Sequence, residues 1–391
     1  MILFFLVSLI FLAILVNHKL KKHRINSNKS QRFNSLTVHY TYCFMLWSLT
    51  LAIFCNIIFT NINLKIFSFI LILISNFWLI NHLFHKKFSA KKHFEKFQVS
   101  VLSLSTSIGV LITAIITVSI LIETLRFFKF ISPTEFFFGF NWNPQMALTS
   151  EQEVGKSSFG IIPVFLGTLL ITCVAMAVAI PIGIMSAIYL SLYANPQKRD
   201  FLKPILEILA GVPTVVYGYF AVTLVAPFFK SFFSNLGLEI SSESALSAGF
   251  VMGVMIIPFV LSLTDDAISA VPQSLKDGAL ALGSTKSEMI KKVVLVSALP
   301  SIVGAIILAV SRAIGETMIV VMSAGLIAKL SFNPLDSVTT ATAQIVTLLV
   351  GDQEFNSPKT LSAFALALTL FAFTFALNVI ALAVIKKYKN R

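Results

Sequence analysis

Residues Ser274 to Glu316 read SLKDGALALGSTKSEMIKKVVLVSALPSIVGAIILAVSRAIGE. The first half is polar and sits between two hydrophobic runs, and the second half is apolar but carries Arg312 and Glu316. Two helix-start signals lie in the polar half. Ser274 precedes Asp277 by three positions and Thr285 precedes Glu288 by three, so each pair has the spacing of a capping box. Gly283 lies between them, where a C′ glycine ends a helix. In the second short helix Met289, Ile290, Val293 and Val294 share one side, with Lys286, Lys291 and Lys292 turned away. The pattern predicts a compact helix-turn-helix at a membrane surface, offering an apolar ridge to a partner. The competing reading is an amphipathic connector lying in the lipid interface.

Outward from this stretch the chain is apolar. Of its 391 residues 57% are hydrophobic, mean hydropathy is +0.88, and phenylalanine alone contributes 37. Such a composition predicts an all-α, polytopic membrane bundle rather than a soluble domain. Spans are expected near 40–60, 64–84, 99–123, 161–194, 204–228, 246–268, 299–327 and 361–385. A shorter apolar run at 2–16 lacks a basic n-region and an Ala-x-Ala-like site, and reads as a retained anchor. That gives about nine transmembrane helices. The run 161–194 is too long for one straight crossing, so Pro181 and Gly183 are expected to kink or split it, as Pro213 beside Gly211 does for the next.

The net charge of +13 follows the topology. With the C-terminus inside, most of the 30 Lys and Arg fall in cytoplasmic segments: the two N-terminal basic loops, Lys198/Arg199/Lys203, Lys276/Lys286/Lys291/Lys292 and the tail Lys386/Lys387/Lys389/Arg391. The basic balance therefore reflects orientation and attraction to the anionic leaflet, not nucleic-acid binding.

Arg312 falls near the middle of its span. A charge there costs at least about 2.5–3.5 kcal/mol, so it must face protein or water. Glu316 is expected one helical turn further on the same face. Ala305, Ala309 and Ala313 form an adjoining small row, with Ser311 and Gly315 a second small pair, allowing close helix approach. In one reading Arg312 lines a pathway and meets an anion with its fork of donors, while Glu316 orients the arginine when the anion is absent. In the other the two charges only hold the bundle together.

These residues carry a family resemblance. Asp277-Gly278-Ala279, Gly283 and Leu299-Pro300 resemble the EAA loop of ABC-transporter permeases, with Asp-Gly for the usual Glu-Ala and Val296 where a proline is often found. Ser311-Arg312-Ala313-Ile314-Gly315-Glu316-Thr317-Met318 resembles the PstC-type phosphate permease. So do Leu209 to Gly218 (LAGVPTVVYG) and the pattern from Phe159-Gly160 through Gly167-Thr168. The resemblance covers about residues 99–391. It implies a six-helix importer permease core at 99–391, with a coupling loop at 269–298, after an N-terminal membrane extension at 1–98. It further implies a multi-pass protein of the bacterial cytoplasmic (inner) membrane, translocating inorganic phosphate by alternating access. Asp277, Gly278, Ala279, Gly283 and Met289 would couple to the ATPase, and Arg312 and Glu316 would line the substrate pathway. Implied partners are a second permease subunit of PstA type, an ATPase dimer that uses ATP and Mg, an extracytoplasmic phosphate-binding protein and membrane lipid. The chain itself is expected to bind no cofactor and to catalyse no reaction.

Other signals are weaker. Gly155-Lys156-Ser157 is similar to a P-loop ending, but the earlier glycine is Ser150 and no strand precedes it. The six histidines (His18, His23, His39, His82, His85, His93) lie in the first quarter without a carboxylate cluster, so no metal site is expected. Cys43, Cys55 and Cys173 lie in apolar runs and read as small buried residues. The loops 124–160, with Phe136, Phe137, Phe138, Trp142 and Pro144, and 328–360, with Thr339, Thr340, Thr342 and Ile345, are expected on the outer face, packed over span ends or meeting the binding protein. Phosphonate, sulfate or molybdate stay open as cargo, since charge alone does not separate tetrahedral oxyanions. A lipid-directed membrane enzyme would need convergent catalytic groups that are missing around Glu207, Asp265, Asp266 and Glu316. An ion channel would not need a helix pair presented to an ATPase.

Overall fold

The computed structural model describes residues 90–144, 158–350 and 355–389. The expected spans 2–16, 40–60 and 64–84, five of the histidines, Cys43, Cys55 and the 155–157 tripeptide lie outside the described residues. The chain divides into two compact units, 1–115 and 116–391. Helix α1, Ala90–Phe127, spans that division.

Among the described residues the structure is helical apart from one isolated antiparallel bridge, Trp142 with Phe159. Six helical runs are long and apolar enough to cross a membrane: Glu95–Phe127, Ile162–Tyr193, Thr214–Asn235, Ala245–Ser269, Lys286–Ile314 and Pro358–Lys387. They correspond to the six C-terminal spans expected from the sequence, with three informative differences.

The first concerns proline. Helix α3 (Ile162–Ile188) continues through Pro181, and its irregularity comes later, as a π-turn at Tyr189–Tyr193. The run 204–228, by contrast, is split at Gly211–Pro213. Before the break, α4 (Pro196–Ala210) is amphipathic and buries no residue; after it, α5 (Thr214–Phe220), a π-turn (Ala221–Val225) and α6 (Ala226–Asn235) form the span. The Tyr217 hydroxyl donates to the Leu209 carbonyl at 2.9 Å, satisfying an acceptor that the break leaves open.

The second concerns the run after α7 (Ala245–Ser269) and α8 (Gln273–Ala281). Short α9 (Lys286–Met289), a π-turn (Ile290–Val294) and α10 (Leu295–Ile314) form one continuous helical run, so Pro300 sits inside a helix and not at its start. The third is that this run stops at Ile314. Gly315 caps it, and α11 (Met318–Ser323) resumes after a break at Gly315–Thr317.

The centre of the unit 116–391 is the contact of α3 with α7. A Cβ at Gly249 would lie 2.7 Å from the Val174 Cβ, and one at Gly253 would lie 2.7 Å from the Ala175 carbonyl oxygen. These glycines, four apart, let two backbones approach as small residues do in lipid, where packing and not water exclusion drives association. Met252, Ile256 and Val260 of α7 then bury against Ile171, Ala175 and Ala179 of α3, with Ala309 and Ala313 of α10 in the same core.

At one end of the bundle the two expected loops pack together. Phe127, Phe136 of α2 (Pro133–Phe138) and Phe159 meet edge to face, with centroids 5.3 and 5.5 Å from Phe127. The Trp142 indole N–H donates to Gln344 Oε1 at 2.9 Å. The Gln344 amide donates in turn to Thr339 Oγ1 and the Leu326 carbonyl. Gln344 lies on α12 (Ala341–Leu349), whose N-cap Thr340 accepts from the Ala343 N–H; α13 (Pro358–Lys389) returns from this end. The other end carries α4 and the helix pair α8–α9.

Candidate functional site

Helix α8 begins two residues earlier than a Ser274 cap would place it. Pro272 occupies the N-cap without a side-chain hydrogen bond, Ser274 falls inside the helix, and Asp277 accepts from Gln273 Nε2 at 2.9 Å instead of closing a box. The other signals hold as read. Gly283 has φ +87°, its N–H donates to the Leu280 carbonyl, and the Ser284 N–H donates to the Ala279 carbonyl, a Schellman closure. Thr285 and Glu288 form a complete capping box. With this turn fixed, the elbow has one defined shape.

Its apolar ridge faces inward. Met289 is 5% exposed and packs with Ile290 and Val294 against Ile268, Val271, Ala187 and Leu190. The ridge expected to meet a partner is therefore spent on seating the elbow on its own bundle. What the elbow presents outward is Asp277, Gly278 and above all Leu282, which is 89% exposed. Ala279 lies half-buried behind them.

Arg312 is in the last turn of α10, on an exposed face it shares with Leu308. Its guanidinium lies over the Phe259 ring, 5.4 Å from the centroid, which sets it level with the middle of the 25-residue α7. A charge exposed at that depth requires water, another chain or an anion on its open side. Glu316 is not one turn further on the same helix, because the helix ends at Ile314. It lies half-buried in the break, where its carboxylate accepts from the Met318 N–H at 3.2 Å and its carbonyl accepts from the Thr342 hydroxyl at 2.7 Å. No salt bridge joins Arg312 to Glu316. The structure thus gives Arg312 an open guanidinium and gives Glu316 a place in a loop that ties α11 to α12.

One group of residues was not singled out from the sequence. Asp265, 1% exposed and one turn from the end of α7, accepts from Arg199 through both carboxylate oxygens at 3.0 Å and from Lys203 Nζ at 2.7 Å. The Ser191 hydroxyl of the π-turn also donates to it. The hydrogen bond from Lys203 to Asp265 holds the lysine ammonium above its ordinary pKa. Lys286 of the elbow lies 4.8 Å from the Tyr193 ring centroid on the same π-turn. The only sequence signal was the four-residue spacing of Arg199 and Lys203, which sets both on one helix face. Cys173, expected to be buried, is exposed on α3. Among the described residues no group of three His, Cys, Asp or Glu is placed to hold a metal ion.

Residues 179–390 match the family model described as "Binding-protein-dependent transport system inner membrane component". The chain is 32% identical over 245 residues to the "Probable ABC transporter permease protein YqgH" of Bacillus subtilis, covering 63% of this chain and 75% of that protein. It is also 32% identical over 264 residues to the "Phosphate transport system permease protein PstC" of Mesorhizobium japonicum, covering 62% and 77% respectively. Among solved structures, a bacterial alginate ABC transporter in complex with its alginate-bound periplasmic protein aligns with 76% of this chain and 94% of its own, at 15% identity and a TM-score of 0.46.

Proposed function

Because this chain belongs to the family of binding-protein-dependent transport system inner membrane components, we propose that it is the membrane-spanning subunit of an ATP-driven importer of inorganic phosphate. The observation that carries the substrate is the open guanidinium of Arg312 beside the Glu316 break, in a chain similar to proteins named phosphate transport system permease. A guanidinium fork at mid-bundle suits a tetrahedral oxyanion, which accepts two parallel hydrogen bonds from it.

The chain is half of a pore. A second permease of PstA type covers the open face of Arg312, and an ATPase dimer docks on the cytoplasmic elbow through Asp277, Gly278 and Leu282, with Gly283 setting the turn. Ala279 and Met289 serve that contact from behind by holding the elbow to the bundle. A phosphate-binding protein delivers cargo to the face formed by Trp142 and α12, and the C-terminus lies in the cytoplasm. ATP and Mg are used by the partner ATPase. Closure of the ATPases tilts the run Lys286–Ile314, and the anion passes the Arg312 level as the two permeases part.

Phosphate uptake by the complex in proteoliposomes tests this. Uptake should require ATP, resist competition by sulfate, molybdate and phosphonate, and be lost with Arg312→Gln while the complex still assembles. Undiminished phosphate uptake by Arg312→Gln removes the pathway role, and competition by another oxyanion reassigns the cargo.

A further inference from the structure

Helix α4 is a poorly anchored element in an otherwise well-packed region. It buries no residue, and Phe201, Ile205, Ile208 and Leu209 are exposed. Its hold on the bundle consists of Leu206, half-buried against the cluster that seats the elbow, of Arg199 and Lys203 bound to Asp265, and of the Tyr217 hydrogen bond to the Leu209 carbonyl at its end. Asp265 is nearly inaccessible to solvent, and a carboxylate so placed is strongly destabilising unless its partners stay in position. The ion cluster, more than apolar burial, fixes where α4 sits.

The neighbours of Asp265 in the chain matter. Four residues on, at Ser269, helix α7 ends, and Pro272 starts the elbow. The same π-turn that supplies Ser191 to Asp265 supplies Tyr193 to Lys286. Downstream, α4 leads through Gly211–Pro213 into α5, where Gly218 allows contact with α11: a Cβ there would lie 2.8 Å from Met322 Sδ and 3.2 Å from the Met318 carbonyl oxygen. Met318 is the residue whose N–H the Glu316 carboxylate holds. A contiguous chain of contacts therefore runs from the elbow to the break beside Arg312, separate from the direct run Lys286–Ile314.

We infer that Asp265 is a positioning residue of the transport cycle: it clasps Arg199 and Lys203 so that α4 moves with the elbow and carries that motion to α5, α11 and Glu316. Two routes then reach the substrate level from one elbow, and the break opens in step with the tilt of α10. The inference rests on the importer reading above.

The test uses the whole complex in proteoliposomes, with variants Asp265→Asn and the triple variant Asp265→Asn/Arg199→Gln/Lys203→Gln. The triple variant leaves no charge of the cluster unpaired, so it remains informative if the Asp265→Asn protein folds poorly. Expected are normal assembly and basal ATP hydrolysis, with phosphate moved per ATP reduced roughly tenfold, a size common for residues that act as one network. Nitroxide labels at Lys198→Cys and Ser287→Cys should keep a fixed separation through the nucleotide cycle in the parent protein and lose it in the variants. If uptake and hydrolysis fall together in proportion to folded complex, or the label separation varies equally in both, the clasp is only structural and the inference fails. Full coupling in both variants, with a coupled parent, also overturns it alone. A parent complex whose hydrolysis ignores phosphate-loaded binding protein overturns the importer reading, and this inference with it.

Discussion

The Arg312 guanidinium stacks over the Phe259 ring, 5.4 Å from its centroid, and among the described residues no acidic side chain pairs with it. An aromatic face can hold a cation in place without neutralising it, and such a contact is worth about 0.5–2 kcal/mol depending on desolvation. Phe259→Leu should therefore lower phosphate uptake roughly three- to tenfold by loosening the arginine, while Phe259→Trp retains it. Uptake kinetics on matched amounts of complex decide the point; parental uptake by Phe259→Leu would leave the ring no orienting role.

The elbow sets Leu282, exposed and not among the coupling residues expected from the sequence, apart from Met289, which was expected to couple and is buried. Leu282→Glu should abolish co-purification of the ATPase while leaving the permease's thermal stability unchanged, because the side chain touches little of its own chain. Met289→Asp should instead lower stability by several kcal/mol, since it forces a charge into the cluster with Ile268 and Val294. Thermal unfolding in detergent alongside co-purification distinguishes the two.

The α3–α7 contact leaves no room for a methyl group at Gly253, where a Cβ meets a backbone carbonyl that has no rotamer by which to escape. Gly253→Ala should cost about 1–3 kcal/mol, the range for overpacking, and appear as a lower unfolding temperature. Gly278→Ala, at a position with open space around it, should be tolerated.

Asp336 gives a pH-dependent contact in the loop before α12. The Ser331 hydroxyl and then Lys329 donate to its carboxylate, at 2.6 and 3.2 Å, and hold its pKa below the ordinary carboxylate value. A group whose pKa is lower in the folded state stabilises it above the unfolded value and loses that contribution as pH falls, here below about pH 4. Limited proteolysis of the loop should accelerate in that range, and Asp336→Asn should be cleaved at a pH-independent rate.

Gln344 is buried and satisfies Trp142, Thr339 and Leu326 at once. Gln344→Leu leaves the indole N–H without its acceptor, at a cost of about 1–3 kcal/mol. The expected readout is a lower unfolding temperature together with red-shifted Trp142 fluorescence, which requires a variant lacking the other two tryptophans.

What the sequence revealed followed the range of the interactions concerned. The Thr285–Glu288 box and the Gly283 turn are closed by neighbours three to five residues apart, so their spelling carried them. The six C-terminal spans were legible because lipid selects composition over a whole window. That same averaging ran straight through Gly315 and hid the end of α10, which placed Glu316 on a helix it does not join. Ser274 misled because Pro272 starts the helix first. The Asp265 cluster joins residues 62 to 74 positions apart, a separation no periodicity expresses.

The unbroken run Lys286–Ile314 has a further consequence, one of gearing. At about 1.5 Å per residue its 29 residues span roughly 43 Å, so a tilt of about ten degrees at the motor end swings the guanidinium through about 7 Å. On the importer proposal, a modest rotation at the elbow becomes a displacement larger than a bare tetrahedral anion, and the stroke follows from helix length more than from the size of the movement that drives it.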